Sequence, residues 1–228
     1  MDGGIWQDGV PADLVIKRSA RAKRLTLRVS ALDGGVSVTV PKGVSDRAAL
    51  AFVRDRADWI AGHRAKMQGP VQVGIGADIP ILGVPRRVVA GTGRLVRLGA
   101  DEIAVPPGRP AARLASYVKH MARDVLAEAS DRYAAELGRT YSAITLRDTR
   151  SRWGSCSSAG RLMYSWRLVM MPREVLDYVA AHEVAHLEHM NHSAAFWSAV
   201  RRIHGPYTAP RAWLRTHGTA LHRYRFED

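Results

Sequence analysis

His182-Glu183-Val184-Ala185-His186, followed six residues later by His192, is the stretch that decides how the C-terminal half of this chain is read. On an α-helix, residues four apart lie on one face, so His182 and His186 present their imidazoles to one point in space, with Glu183 one position around the helix. Three protein ligands leave a coordination position on a metal ion open to water. The ion lowers the pKa of that water, and a nearby carboxylate takes its proton. The pattern therefore predicts a helix carrying a hydrolytic zinc site, with His182, His186 and His192 as metal ligands and Glu183 as the catalytic base.

His189 competes with His192 for the third place. At about 1.5 Å rise per residue, His189 lies roughly 10 Å along the axis from His182, too far for both to reach one ion at ~2 Å. His192 follows Asn191, a residue that tolerates the left-handed conformation ending many helices, so the chain is expected to fold back there and bring in a third imidazole. The offsets match the metzincin spacing, but His189 stands where that family has glycine and no Met-turn is visible.

Outward from the motif, Asp177-Tyr178-Val179-Ala180-Ala181 continues the helix, with Val175, Val179 and Val184 available for packing. Further out are Ser151-Arg152-Trp153-Gly154-Ser155-Cys156-Ser157, Trp166-Arg167-Leu168, Pro172, Tyr178-Val179 and His192-Ser193-Ala194-Ala195-Phe196-Trp197. With the His-Glu motif, this set resembles the YgjP-like metallopeptidase domain, a zincin relative of the SprT and WLM proteases. The resemblance runs from about Arg150 to Trp197, with a weaker likeness from Arg21 to Val29. It implies a zincin fold, zinc on His182, His186 and His192, and Glu183 as the catalytic carboxylate. Ser165 is a departure, since the family often has Asn before Trp-Arg-Leu. The resemblance also gives Tyr164 to Met170 the role of a cleft-edging strand that pairs with extended peptide.

The chain has 228 residues, 46% of them hydrophobic, enough for one large domain or two small ones. No apolar run approaches the ~20 residues that span a bilayer, and Met1 to Trp6 lack signal-peptide features, so a cytoplasmic protein without membrane contact is expected. Cys156 is the single cysteine, which excludes an internal disulfide. A net charge of +13 and a pI near 10.6 favour polyanions. Lys17-Arg18-Ser19-Ala20-Arg21-Ala22-Lys23-Arg24 is the densest basic run and reads either as a solvated face or as a phosphate-binding patch for nucleic acid or nucleotide.

An α+β chain is expected, a zincin-like domain over residues 110–228 preceded by a β-rich region over residues 1–109. Leu14 to Ile16, Leu25 to Val29 and Val36 to Val40 alternate apolar with polar residues as a small antiparallel sheet, with a hairpin turn at Asp33-Gly34-Gly35. Pro41 closes the third strand, and Ser45 caps a helix over roughly 46–66. Short strands follow between Val71 and Val105, then a linker at Pro106-Pro107-Gly108-Arg109-Pro110. A long helix is predicted from Ala111 to Leu137, strands at Ile144 and from Tyr164 to Met170, Pro172 in the first turn of the metal helix, and helices after His192 and over Pro210 to His222.

For an oxyanion donor besides the metal, Arg152, Tyr164, Arg167 and Tyr178 are candidates. Cys156, beside two serines without a local base, reads as structural, in a turn. The functional expectation is a zinc metallopeptidase with a polypeptide substrate. The alternatives are a metal-dependent hydrolase of nucleoside triphosphates or other phosphoanhydrides, and a nucleic-acid-associated protein with a structural zinc. Glu183 beside an open three-ligand site favours the enzymes over the last, because structural zinc normally takes four protein ligands.

Overall fold

Val36, Val38 and Val40 fall on one face of a strand and are buried, as a period of two dictates. The structure is a computed structural model and describes residues 6–30, 33–67 and 69–227. Met1 to Ile5, read above for a leader, lie outside them. The chain divides into two units, Met1–Gly69 and Pro70–Asp228.

The first unit holds β1 (Trp6–Gln7), β2 (Val10–Pro11), β3 (Val15–Ser19), β4 (Thr26–Val29), β5 (Val36–Pro41), α1 (Asp46–Arg54) and α2 (Ala57–Ala65). β1 and β2 form an antiparallel pair, and β3-β5-β4 is a separate sheet. β4 and β5 form the expected hairpin, Val29 opposite Val36, with Gly34 at φ +73° and the Ser30 amide on the Gly35 carbonyl (2.8 Å). β3, however, pairs with β5 in parallel, Val15 opposite Ser37, so the sheet is mixed rather than antiparallel. Alternation specifies which face a side chain takes, not which neighbour its strand takes.

Ser45 caps α1, its hydroxyl accepting from the Ala48 amide at 3.2 Å. The single helix expected to residue 66 breaks after Arg54. The Arg56 amide turns to the Val53 carbonyl (3.1 Å), while its guanidinium bonds the Phe52 carbonyl (3.1 Å) that an unbroken helix would offer to the amide. No proline or glycine marks this break. Val10, Val36, Val38, Val40, Ala49, Val53 and Ile60 form the core of this unit. In the basic segment, Leu25, Leu27 and Val29 are half-buried while Arg24, Thr26 and Arg28 are exposed, and Arg18 pairs with Asp46 at 2.5 Å.

The second unit holds β6 (Val71–Gln72), β7 (Asp78–Ile81), β8 (Val84–Ala90), β9 (Arg97–Leu98), β10 (Glu102–Val105), α3 (Pro110–Leu137), β11 (Ala143–Arg147), β12 (Gly154–Cys156), β13 (Arg161–Ser165), α4 (Arg173–Ala185), α5 (Ala194–His204), α6 (Thr208–His217) and β14 (Tyr224–Arg225). Its sheets are β7-β8-β10-β9, β11-β13-β12 and the pair β14-β6. The expected linker lies inside this unit. Gly108 and Arg109 take left-handed angles (φ 73° and 48°) and Pro110 opens α3, so the segment is a helix start. The expected division at residue 109 therefore falls within the second unit. α3 ends at Gly138 (φ 67°), whose amide returns to the Ala134 carbonyl.

Tyr164 to Met170 are not one strand. β13 stops at Ser165, whose hydroxyl accepts from the Arg167 amide (3.4 Å), and residues 166–170 wind into a buried 3-10 helix. An apolar run buried on all sides carries no period, so its sequence does not separate strand from helix. α4 is likewise buried almost all round, through Val175, Leu176, Tyr178, Val179, Ala180, Ala181, Val184 and Ala185, and packs against α3, α5 and the 3-10 helix.

The start of α4 is set from outside. Leu82 and Gly83 (φ 49° and 79°) make a two-residue turn between β7 and β8, and the Leu82 amide bonds the Val169 carbonyl at 2.7 Å. A Cβ on Gly83 would lie 2.8 Å from Pro172 Cα, the residue before α4. Gly83→Ala is expected to cost about 2–4 kcal/mol from backbone strain plus overlap. Gly83→Asn, which tolerates the backbone angle, should be nearly as destabilised in urea melts, because the overlap remains; a wild-type midpoint for Asn would refute the close approach.

Candidate metal centre

α4 carries His182 and Glu183 in its last turn, and His186 is its C-cap. Burial follows position on this helix: Glu183 is 6% exposed and His186 9%, while His182 is half-buried. The reversal that brings in the third histidine starts earlier than expected. Beyond Ala185 the chain tightens, with the Leu187 amide on the Val184 carbonyl (2.9 Å) and the Glu188 and His189 amides on the Ala185 carbonyl (3.1 Å each). Asn191 is not left-handed. Its side-chain oxygen instead accepts from the Ser193 amide (3.1 Å), and the Ser193 hydroxyl accepts from Phe196 to cap α5. Side-chain bonds to the backbone shape this return, where left-handed dihedrals were expected.

The structure brings His182, His186 and His192 together, with one ring nitrogen from each lying within 4.8 Å of the others. Nε2 of His182 and Nε2 of His192 are 3.1 Å apart. Two ligand atoms on one tetrahedral ion at 2.0–2.1 Å stand about 3.3 Å apart, so the pair suits a shared ion. The His186 Nδ1 lies 2.9 Å from the His189 carbonyl; donating there leaves the Nε2 lone pair for a metal. His189 thus serves through its backbone, and its ring goes to Glu188 at 3.1 Å. His182 Nδ1 is buried without such a partner among the described residues.

Burial, joined by His186, His192 and Arg211, pushes the His182 pKa down to about 3, and burial also lowers that of His186. Both are therefore neutral at physiological pH, the form that donates to a metal. Phe196, fully buried at the start of α5, touches all three imidazoles, with ring centroids 4.9, 4.5 and 4.8 Å from His182, His186 and His192. Phe196 was legible as part of the helix after His192; nothing local showed that it touches all three rings.

Glu183 is held from the other side by β12. A Cβ on Gly154 would stand 2.6 Å from Glu183 Cγ and Oε1, so only glycine lets the strand lie against this carboxyl. Burial raises the Glu183 pKa to about 8, opposed by Arg152, the one oxyanion candidate whose charge acts on it. Tyr164 is fully buried with its hydroxyl 3.0 Å from Ser130 Oγ. Arg167 is committed to Asp148 (2.7 Å) and to the Leu221 and Tyr224 carbonyls. Tyr178 packs edge-on to His182 at 5.9 Å and stacks on Tyr207. Cys156 lies in β12 rather than in a turn, and burial beside Glu183 raises its thiol to about 11, far from a thiolate. Arg211, whose charge reaches both His182 and Tyr178, was missed, because nothing in its own neighbourhood of the sequence links it to a motif 25 residues away.

The family model of the YgjP-like metallopeptidase domain matches residues 23–217. The chain belongs to the YgjP-like metallopeptidase family. A search of curated proteins finds no match. Among solved structures, the chain is similar to the metallopeptidase zymogen of Pyrococcus abyssi abylysin, with 22% identity, 42% of this chain and 92% of that chain covered, and a TM-score of 0.35.

As a YgjP-like metallopeptidase domain, this α+β chain is a metal-dependent hydrolase of polypeptides, and its three clustered imidazoles are suited to hold the ion. No described helix is long and apolar enough to cross a membrane. One expectation attached to the family changes: β13 lies between β11 and β12 and has no edge left for a substrate strand. β12, the strand against Glu183, is an edge of that sheet, β11 being the other.

The approach of Gly154 to Glu183 is testable by a double-mutant cycle. Gly154→Ala is expected to destabilise the protein by about 1–3 kcal/mol. Glu183→Ala removes the overlapping atoms, so the double variant should recover at least about 1 kcal/mol of that loss in denaturant melts. Additive effects would show that the two residues do not meet.

Proposed function

We propose that the chain is a zinc-dependent metallopeptidase in which His182, His186 and His192 hold the ion and Glu183 is the general base. The observation that carries this is the convergence of three imidazoles beside a buried carboxyl, with no fourth His, Cys, Asp or Glu in the cluster among the described residues. A set of three nitrogens with one place open is that of catalytic rather than structural zinc. The bound ion supplies Lewis acidity, favouring deprotonation of water and polarising a peptide carbonyl.

Glu183, pinned between α4 and Gly154, accepts the proton of the attacking water and delivers it to the leaving amine. Arg152 holds positive charge beside that carboxyl and favours its ionised form. The outer edge of β12 gives an extended substrate a strand to pair with, which places a backbone carbonyl beside Glu183. Phosphoanhydride cleavage, the alternative raised by the basic charge, is set aside because the matched family is one of peptidases.

His192→Ala is expected to lose bound zinc, while His189→Ala keeps about one ion per chain, since His189 acts through its carbonyl. Elemental analysis of the two purified variants decides this, and the reverse order would remove His192 from the ligand set. Glu183→Gln should keep zinc and fold but cleave casein about 10²- to 10⁴-fold more slowly. Near-normal turnover by the zinc-loaded variant would assign the base elsewhere.

A further inference from the structure

We propose that the cleft beside the metal centre is a subsite for a peptide carboxylate next to the cleaved bond, held by Arg211 and Arg215; this rests on the metallopeptidase reading above. The cleft has a volume of about 650 Å³ and is walled by Trp153, Tyr178, Arg211, Leu214 and Arg215. That is within the range of sites that enclose small ligands. Its walls touch the chemistry from two sides. Trp153 immediately precedes Gly154, which meets Glu183, and Tyr178 packs edge-on to His182 with centroids 5.9 Å apart. A residue flanking the bond cut at Glu183 therefore enters this cleft.

The charge of the cleft selects what enters. Arg211 and Arg215 are four apart on α6 and share a helix face. Both are exposed, no described acidic residue lines the cleft, and neither arginine has an ion-pair partner among the described residues. The Arg211 guanidinium lies over the Trp197 ring at 4.6 Å. Stacking orients its plane and leaves the N–H edges for an acceptor. Two guanidiniums with no carboxylate of their own, in a partly enclosed cleft, favour an anionic planar acceptor through paired charge-assisted hydrogen bonds. Trp153 and Leu214 offer apolar surface to the methylenes that carry such a group. A lysine in the same place meets like charge. The carboxylate has two sources, an Asp or Glu side chain or the free C-terminus of a peptide.

The test uses zinc-loaded full-length protein with Glu183→Gln to stop turnover, read by fluorescence anisotropy of labelled peptides. Three are blocked at both ends and carry Glu, Gln or Lys at one central position; a fourth has neutral side chains and a free C-terminal carboxylate. The Glu peptide, the free-carboxylate peptide or both should bind at least about tenfold tighter than the Gln peptide, and the Lys peptide weakest. Arg211→Ala with Arg215→Ala should level the four affinities, and Arg211→Lys with Arg215→Lys should keep part of the preference and guard against misfolding of the alanine variant. Whichever peptide gains identifies the source. Equal binding of the Glu, Gln and free-carboxylate peptides, or a preference that survives the double alanine variant, would overturn the subsite. Absence of zinc or of casein cleavage by the wild type would instead overturn the metallopeptidase reading, whatever the peptides show.

Discussion

The proposed site is built around a carboxyl group that the fold almost removes from water. Glu183 sits on a helix packed on nearly every side, with β12 so close that no side chain fits between. An unpaired carboxylate in such a place is costly, and its proton affinity rises accordingly. Only positive charge beside it makes the ionised form usable. Arg152 supplies part of that, and the three imidazoles next to it are placed to hold a cation that supplies the rest.

The surrounding elements follow from that demand. α4 needs an apolar jacket, which α3, α5 and the buried 3-10 helix before it provide. Its direction is set at the N-terminal end, where the turn at Gly83 abuts Pro172. Its C-terminal end stops early so that the chain returns within a few residues and lays His192 against His182. Phe196 then touches all three rings, so that the hydrophobic core and the polar site share one side chain. A change in packing at the head of α5 is therefore a change in how the three imidazoles are set, because close-packed interiors transmit displacements.

Local spacing made some of this legible before any coordinates. His182 and His186 meet because helix geometry puts residues four apart on one face, whereas His189 lies beyond the end of α4 and turns its ring to Glu188, so the helical rise used against it does not apply. Val36, Val38 and Val40 announced a buried strand face and Ser45 a cap, whereas Pro110, expected in a linker, opens α3. The departures differ in kind. Residues 166–170 have no periodicity to read, because they are buried on every side, and the break between α1 and α2 falls where an arginine side chain takes a helix carbonyl.

What the sequence by itself determined is therefore the set of groups carried by one helix and its return: two imidazoles and a carboxyl on α4, a third imidazole ten residues after the first, and the surrounding residues by which the family is matched. Tertiary structure alone decided which surfaces face that set. It put Gly154 against Glu183, made β12 an edge strand and β13 the central one, chose His186 as the imidazole supported by a backbone carbonyl, and brought the charge of Arg211 of α6 to bear on His182. The physical reason is range. Backbone geometry repeats over four residues and can be counted, whereas a contact between segments separated by tens of residues depends on how every intervening element packs.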